Sequence, residues 1–421
     1  VGSVPTFAQK TQSKCTTKAN INKGSAVSKT VAKTGTGAVA EAMRQINPDV
    51  VAAYPITPQT AIVEEFSSFA ANGKVKTEMI TVESEHSAMS ACIGASAAGA
   101  RVMTATSSAG LALMWEVLYV AAGCRLPIVM PMVNRALSAP LNIHCDHSDS
   151  MGARDAGWIQ LYSENSQEAY DNVIQAVRIA EHSDVRLPVM VMLDGFITSH
   201  AIERFDMIDD KTTQAFVSEF KPFSPLLDTD KPSTHGPFDL FDYYFEHRRS
   251  QAEAMKKSKQ VILDVAKEYE KLTGRKYDLY KSYQLEDAEV AVVVLSSTAG
   301  TAVSVVDKLR DEGIKAGLMV PRVIRPFPAE EYAKALTHVK AVSVMDRSDS
   351  FNAEGAPLYT ELTAAMYQSG GRPVMSNYIF GLGGRDVHPS DIEKVYRDTL
   401  DNAHNGKVKK AVNYLGVRGD E

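Results

Sequence analysis

Residues Val50–Thr60 read VVAAYPITPQT, a run of small apolar side chains that stops at a threonine held between Pro55 and Pro58. Such a near-continuous apolar run predicts a strand buried on both faces, the kind a parallel sheet covered by helices requires. Proline fixes its own φ and pushes the preceding residue out of the helical region, so Tyr54–Pro58 should form a stiff, extended elbow. The stretch that follows, PQTAIVEEFSSFAANG, has helical spacing and closes on a glycine. Strand, elbow and helix in that order make a β-α unit. Open α/β sheets bind ligands at the carboxyl ends of their strands, so the elbow marks a candidate site as well as a fold.

Working outward, EMITV (78–82), RVMTAT (101–106), PIVMPMV (127–133) and PVMVML (188–193) also read as strands buried on both faces. SEHSAMSACIGASAAGA, SAGLALMWEVLYVAAG and SQEAYDNVIQAVRIAEH supply helices between them. The series predicts a doubly wound, mostly parallel α/β domain over 36–205. Residues 206–285 break the rhythm with a proline-rich polar stretch and one long amphipathic helix, and read as a linker. A second, smaller doubly wound α/β domain is expected over 286–400, with VAVVVL (290–295), GLMVPRVI (317–324), AVSVM (341–345) and PVMSNYIFGLGG (373–384) as its strands. Residues 401–421 read as a C-terminal tail, and the two halves share no evident repeat.

The chain has 421 residues, 44% hydrophobic and 23% charged, which is ordinary for a soluble globular protein of two or three domains. A net charge of −6 argues against nucleic acid as the main partner. No run of eighteen apolar residues occurs, so no membrane span is expected. Cys15, Cys92, Cys124 and Cys145 lie far apart and form no C-x-x-C pair. That spacing gives no zinc site and no iron–sulfur cluster built by this chain alone, and predicts buried free thiols in a reducing, cytoplasmic setting. Residues 1–35 form a basic extension with Lys10, Lys14, Lys18, Lys23, Lys29 and Lys33 and no acidic residue. Targeting peptides share this bias, but arginine and a hydrophobic segment are missing. The extension has too few apolar residues to fold alone, and is expected to lie along a neighbouring subunit.

Several residues at the predicted strand ends carry chemistry. Thr57 offers a donor and an acceptor on an inflexible elbow, or it caps a helix beginning at Pro58. Glu83 and Glu85 stand at a helix N-terminus, where the dipole favours carboxylates. Among so many small apolar neighbours one of them is a candidate for desolvation and proton exchange. Arg135 follows a strand directly, where a guanidinium serves either a structural carboxylate or a substrate carboxylate. HCDHSD (144–149) offers His144, Asp146, His147 and Asp149 as metal ligands, but a loop of alternating polar types is more often an internally hydrogen-bonded turn. No metal is assigned. GLGGRDVHP lacks both phosphate-loop patterns, so Gly381, Gly383 and Gly384 read as a tight turn, and RPFP (325–328) as a second proline elbow facing the first domain or another subunit.

Taken together, YPITPQT, ESEHSA, NRALSAPLNIHCDHSDSMGARDAGWIQLYSEN and DGFITSH resemble the alpha subunits of the 2-oxoacid:ferredoxin oxidoreductase family, those for pyruvate in particular. GLMVPRVIRPFP and VMDRSDSFNAEGAPLY are similar to that subunit's second domain, so the resemblance spans about residues 36–400. It implies a thiamine diphosphate pyrimidine-binding domain followed by a transketolase C-terminal-like domain. It also implies an enzyme that converts a 2-oxo acid, coenzyme A and oxidised ferredoxin to acyl-CoA, carbon dioxide and reduced ferredoxin, reversibly. The cofactor would be shared with a beta subunit that binds the diphosphate and magnesium. Gamma- and delta-type subunits would complete the complex, with [4Fe-4S] clusters in the partners. This chain has no G-D-G…N diphosphate–magnesium motif, which agrees with that division and predicts inactivity without partners. By resemblance, Glu85 contacts the pyrimidine ring nitrogen, so that the exocyclic amino group can serve as base at the thiazolium carbon. Pro55 and Ile56 line the cofactor, Thr57 meets the substrate's carboxylate or carbonyl, Arg135 pairs with the carboxylate, and Glu83 is structural.

By the same resemblance, the small, neutral Thr57 matches the pyruvate enzymes and not an oxalate-using relative with a basic residue at this place, and NIHCDHSD favours pyruvate over 2-oxoglutarate. Branched-chain 2-oxo acids such as 2-oxoisovalerate remain an alternative. A self-contained thiamine enzyme is disfavoured by the missing diphosphate motif. A non-catalytic scaffold subunit is disfavoured by Thr57, Glu85 and Arg135 at strand ends.

Overall fold

The computed structural model describes residues 28–352 and 354–419. The chain enters on β1 (Ser28–Thr34), then builds β2 (Val50–Ala53), β3 (Glu78–Thr81), β4 (Val102–Met103), β5 (Val129–Asn134), β6 (Ile159–Tyr162) and β7 (Val189–Asp194), and returns on β8 (Ile202–Ile208). Strands β2 to β7 run parallel in the order β6-β7-β5-β4-β2-β3, while β1 and β8 pair antiparallel as a separate ribbon. The central β5 and β7, VMPMVN and VMVMLD, are buried along their whole length, as a strand covered by helices on both faces must be. By contrast β3 is an edge strand with Glu78 and Thr81 exposed, so the expected burial on both faces fails there.

The second half contributes β9 (Tyr280–Tyr283), β10 (Val290–Val294), β11 (Ala316–Pro321), β12 (Val323–Arg325), β13 (Ala341–Asp346), β14 (Val374–Ile379) and β15 (Val412–Tyr414). Six of these form a sheet in the order β15-β14-β13-β10-β11-β9, antiparallel only at β9. Side chains alternate along β10. Ala291 and Val293 join the core continuous with the first domain, and Val290, Val292 and Val294 the core beneath helices Thr298–Asp311 and Pro389–Asn405.

Three readings of the sequence change. Ser28–Thr34, placed in the basic extension, is a strand paired with β8; the remainder of the extension and its proposed course along a neighbouring subunit lie outside the described residues. Part of the C-terminal tail, Val412–Tyr414, adds an edge strand to the second sheet. GLMVPRVI is not one strand: it divides at Arg322 into β11 of the second sheet and β12, which pairs antiparallel with β6 of the first. The buried Arg322 guanidinium needs acceptors and finds Asn172 Oδ1 at 2.9 Å and Gln175 Oε1 at 3.2 Å on the first domain's helix Ser166–Glu181. Anchoring that cation turns the chain from one sheet to the other.

The linker helix, Leu240–Thr273, is 34 residues long, about 50 Å at the α-helical rise. Asp171, fully buried, fastens its end to the first domain by accepting from Tyr269 Oη at 2.5 Å, Arg275 Nε at 2.6 Å and Tyr277 Oη at 2.6 Å. No helix among the described residues is long and apolar enough to cross a membrane.

Candidate active site

β2 ends at Ala53, and Tyr54, Pro55 and Ile56 run extended at the sheet's carboxyl edge. The next helix, Thr60–Ala71, begins later than Pro58, with Gln59 as its first flanking residue, so Thr57 does not cap it. What fixes the elbow is Gln59, wholly buried. Its Oε1 accepts from Ile56 N at 3.2 Å, and its Nε2 donates to Ala105 O at 2.9 Å, pinning the elbow to the chain beyond β4. Thr57 is left exposed, and its hydroxyl has no partner among the described residues.

Glu85 opens the helix Glu85–Ala98 behind Ser84, whose Oγ accepts from Ser87 N at 3.2 Å. Its side chain is buried, yet its carboxylate has no hydrogen-bond partner among the described residues. It faces Gly110. A Cβ built there would lie 2.7 Å from Glu85 Oε1 and 2.5 Å from Thr106 Oγ1, so only glycine leaves the space open. Thr106 Oγ1 is itself buried and unpartnered. Two polar groups left bare around one small cradle are expensive in an unliganded fold, and mark a place prepared for a polar ligand. Glu83, by contrast, is exposed and accepts from Ser87 Oγ, which holds its carboxyl below the usual range. Its role is to finish the helix end.

Arg135 leaves β5 with its backbone N–H donating to Asp149 Oδ2 at 2.9 Å. Its Nε donates to Asn142 O at 3.0 Å and its Nη1 to Thr57 O at 2.8 Å, while Nη2 has no partner among the described residues. Thr57 and Arg135 are thus in direct contact, and the elbow is tied through Gln59 to Ala105, the residue before Thr106. Asp149 is the knot beneath. It also accepts from Ser108 N at 3.0 Å, Asn134 Nδ2 at 2.8 Å and Ser150 N at 2.7 Å, and burial pushes its carboxyl up to about 6. Thr106 closes a predicted strand and so falls at a ligand-binding strand end, whereas Gln59, Gly110 and Asp149 escaped the sequence reading as site residues. Only the position of Gln59 straight after Pro58, and of Asp149 in a run flagged for another reason, hinted at them.

The metal candidates disperse. His144 stacks near Phe196, Asp146 accepts from Ser148 and Gly383, and only His147 reaches a cluster, its ligand atom lying with those of Cys145 and Asp194 within 4.8 Å of one another. There Arg347 Nη1 stands 3.7 Å from Asp194 Oδ2 and His147 Nε2 2.8 Å from Oδ1, so a guanidinium already provides the positive charge a metal would bring. Burial raises the Asp194 carboxyl, but His147, Arg347 and Ser297 outweigh it and hold it well below the usual carboxylate range. A depressed carboxyl contributes stability that is complete above its unfolded pKa, about 4, and lost as the pH falls below it. Asp194→Asn should therefore flatten the acid limb of a plot of unfolding midpoint against pH; an unchanged acid limb would contradict the ion pairing.

The doubly wound α/β fold thus carries a cradle of unpartnered polar groups at the carboxyl edge of its first sheet. The model for "pyruvate flavodoxin/ferredoxin oxidoreductase, thiamine diP-binding" matches residues 41–267, and that for "pyruvate:ferredoxin oxidoreductase core domain II" residues 288–392. Pyruvate synthase subunit PorA of Thermotoga maritima is 58% identical over 389 residues, 92% of this chain and 98% of that one. Ketoisovalerate oxidoreductase subunit VorA of Pyrococcus abyssi is 44% identical over 385 residues, 91% and 97% of the two chains. The solved 2-oxoglutarate:ferredoxin oxidoreductase from Magnetococcus marinus matches with a TM-score of 0.69 at 20% identity, covering 88% of this chain and 65% of that one. A split-gene transketolase matches at 0.54 and 12%, over 88% and 99%, and both likenesses concern the fold. The chain belongs to the pyruvate flavodoxin/ferredoxin oxidoreductase family, and its first domain is that family's thiamine diphosphate-binding domain.

Proposed function

We propose that this chain is the alpha-type subunit of a pyruvate:ferredoxin oxidoreductase, forming acetyl-CoA and carbon dioxide from pyruvate and coenzyme A and passing electrons to ferredoxin. The observation that carries the reading is the bare, buried Glu85 carboxylate that shares the space over Gly110 with the unpartnered Thr106 Oγ1. These groups suit an aminopyrimidine, which needs a carboxylate at a ring nitrogen and a short approach over glycine. Thiamine diphosphate, when bound, supplies the electron sink that a 2-oxo acid requires to lose carbon dioxide. Glu85 holds or releases a proton at the ring nitrogen, and Pro55 and Ile56 wall the ring. Arg135 directs its free Nη2 at the substrate carboxylate, and Thr57 Oγ1 takes the remaining carboxylate or carbonyl oxygen. A small 2-oxo acid has little else to hold, so fixed polar partners define its pose.

The diphosphate and magnesium are assigned to a beta-type subunit, because this chain carries no diphosphate motif. The [4Fe-4S] clusters go to partner chains, gamma- and delta-type subunits among them, because its cysteines are scattered. Buried free Cys92 and Cys145 support a reducing, cytoplasmic setting. The higher identity to a pyruvate synthase subunit than to a ketoisovalerate one supports pyruvate over branched-chain acids. Purification with copurifying partners should give pyruvate- and coenzyme A-dependent reduction of a one-electron acceptor, and the isolated chain none. Turnover by the isolated chain would defeat the shared-pocket reading.

A further inference from the structure

The loop that carries Arg135 is not held by the first domain alone. Asn142, seven residues on, receives Arg135 Nε on its backbone carbonyl at 3.0 Å and donates from Nδ2 to Gly383 O at 2.9 Å, in the glycine turn of the second domain. The same turn returns a bond from Gly383 N to Asp146 Oδ2 at 3.1 Å, and His147 N donates to Arg347 O at 2.8 Å. Asn142 is internally braced as well, since its Oδ1 accepts from His144 N at 2.7 Å. The fit is close: Gly381, Gly383 and Gly384 all have positive φ (61°, 60° and 78°), and a Cβ on Gly383 would meet Asn142 Nδ2 at 2.3 Å, one on Gly384 His144 Cβ at 2.3 Å. A cavity of about 660 Å³ opens beside this contact, lined by Asn142, His144, Gly383, Gly384 and Arg385, so the loop has room to move if the contact is lost.

We infer that Asn142 is a positioning residue, through which the second domain's Gly381–Gly384 turn sets the orientation of the Arg135 guanidinium. Gly383 touches Asn142, Asn142 touches Arg135, and Arg135 touches Thr57; the turn acts on the substrate site through that chain of contacts. The inference rests on the proposed pairing of Arg135 with a substrate carboxylate.

The test uses the assembled complex. Gly383→Ala pushes on Asn142 from the second domain, and Asn142→Ala removes the bond to Gly383 O while keeping the carbonyl that holds Arg135. Both should lower kcat/KM for pyruvate about 10- to 100-fold, the range a small misplacement produces. The loss should fall on KM with kcat little changed, as for an interaction made in ground and transition states alike. Deuterium exchange at the cofactor's thiazolium carbon, which does not involve Arg135, should be unaltered in both. In an Arg135→Ala background, either substitution should change kcat/KM by no more than about twofold, because residues acting as one unit are not additive. Full effects persisting in that background, or no KM effect in either single variant, would overturn the inference. If Arg135→Ala itself leaves KM unchanged, the carboxylate pairing has failed instead, and the two failures are told apart. Because Gly383→Ala strains a left-handed position, the loop variant Asn142→Ala decides the matter should the glycine variant fail to assemble.

Discussion

Replacing Glu85 by Gln should slow deuterium exchange at the thiazolium carbon of the assembled complex by about 10²–10⁴-fold, the usual worth of a positioned acid–base group. Glutamine keeps the size of the side chain in the cradle above Gly110, so assembly and cofactor retention should survive. It cannot exchange a proton with the pyrimidine nitrogen. The loss should appear in exchange measured without substrate, and equally in kcat and kcat/KM for pyruvate. Glu83→Gln is the internal control: that carboxylate is exposed and spends its bonding on Ser87, two residues from the cradle. If exchange is unchanged in the Glu85 variant, or falls equally in the Glu83 variant, Glu85 loses its assigned role.

The contrast between the two glutamates shows where the sequence ran out. β2, β5 and β7 were legible because their apolar runs need nothing but a sheet to explain them, and Tyr54–Pro58 because proline acts locally. Placing Glu85 by the residues alone was undecided, since burial depends on Gly110 and Thr106, more than twenty residues away. Resemblance singled it out, and the geometry supplies a physical ground. Gln59 was invisible for a similar reason: its amide gains meaning only when Ala105 O arrives 2.9 Å away across the sheet. Arg322 misled, because GLMVPRVI is uniformly apolar on either side of it and nothing nearby announces that its acceptors, Asn172 and Gln175, belong to the other domain. HCDHSD was legible as special, and Asp146 does accept from Ser148 N within the run as a hydrogen-bonded turn would have it, but its outward partners were not legible. Its histidines and aspartates face different neighbours, and the group that completes it, Arg347, lies two hundred residues on.

Arg135→Ala should lower kcat/KM for pyruvate by about 10²–10³-fold, larger than the loss of one neutral hydrogen bond because a charged partner is removed from a largely buried position. Two effects separate in this variant. The bonds to Thr57 O and Asn142 O are lost, leaving two carbonyls without their donor, and the carboxylate loses the free Nη2. Arg135→Lys distinguishes them. An ammonium can restore charge near the carboxylate, yet a single nitrogen cannot brace two carbonyls and reach a ligand in the fixed fork of a guanidinium. The lysine variant should therefore recover only a small part of the lost kcat/KM, and added guanidinium ion should rescue the alanine variant in preference to alkylammonium. The elbow frames this geometry, for the exposed Thr57 presents its carbonyl to the arginine. Full recovery by lysine would mean that charge alone matters, and that the bracing of Arg135 between the elbow and Asn142 has no part in holding the substrate.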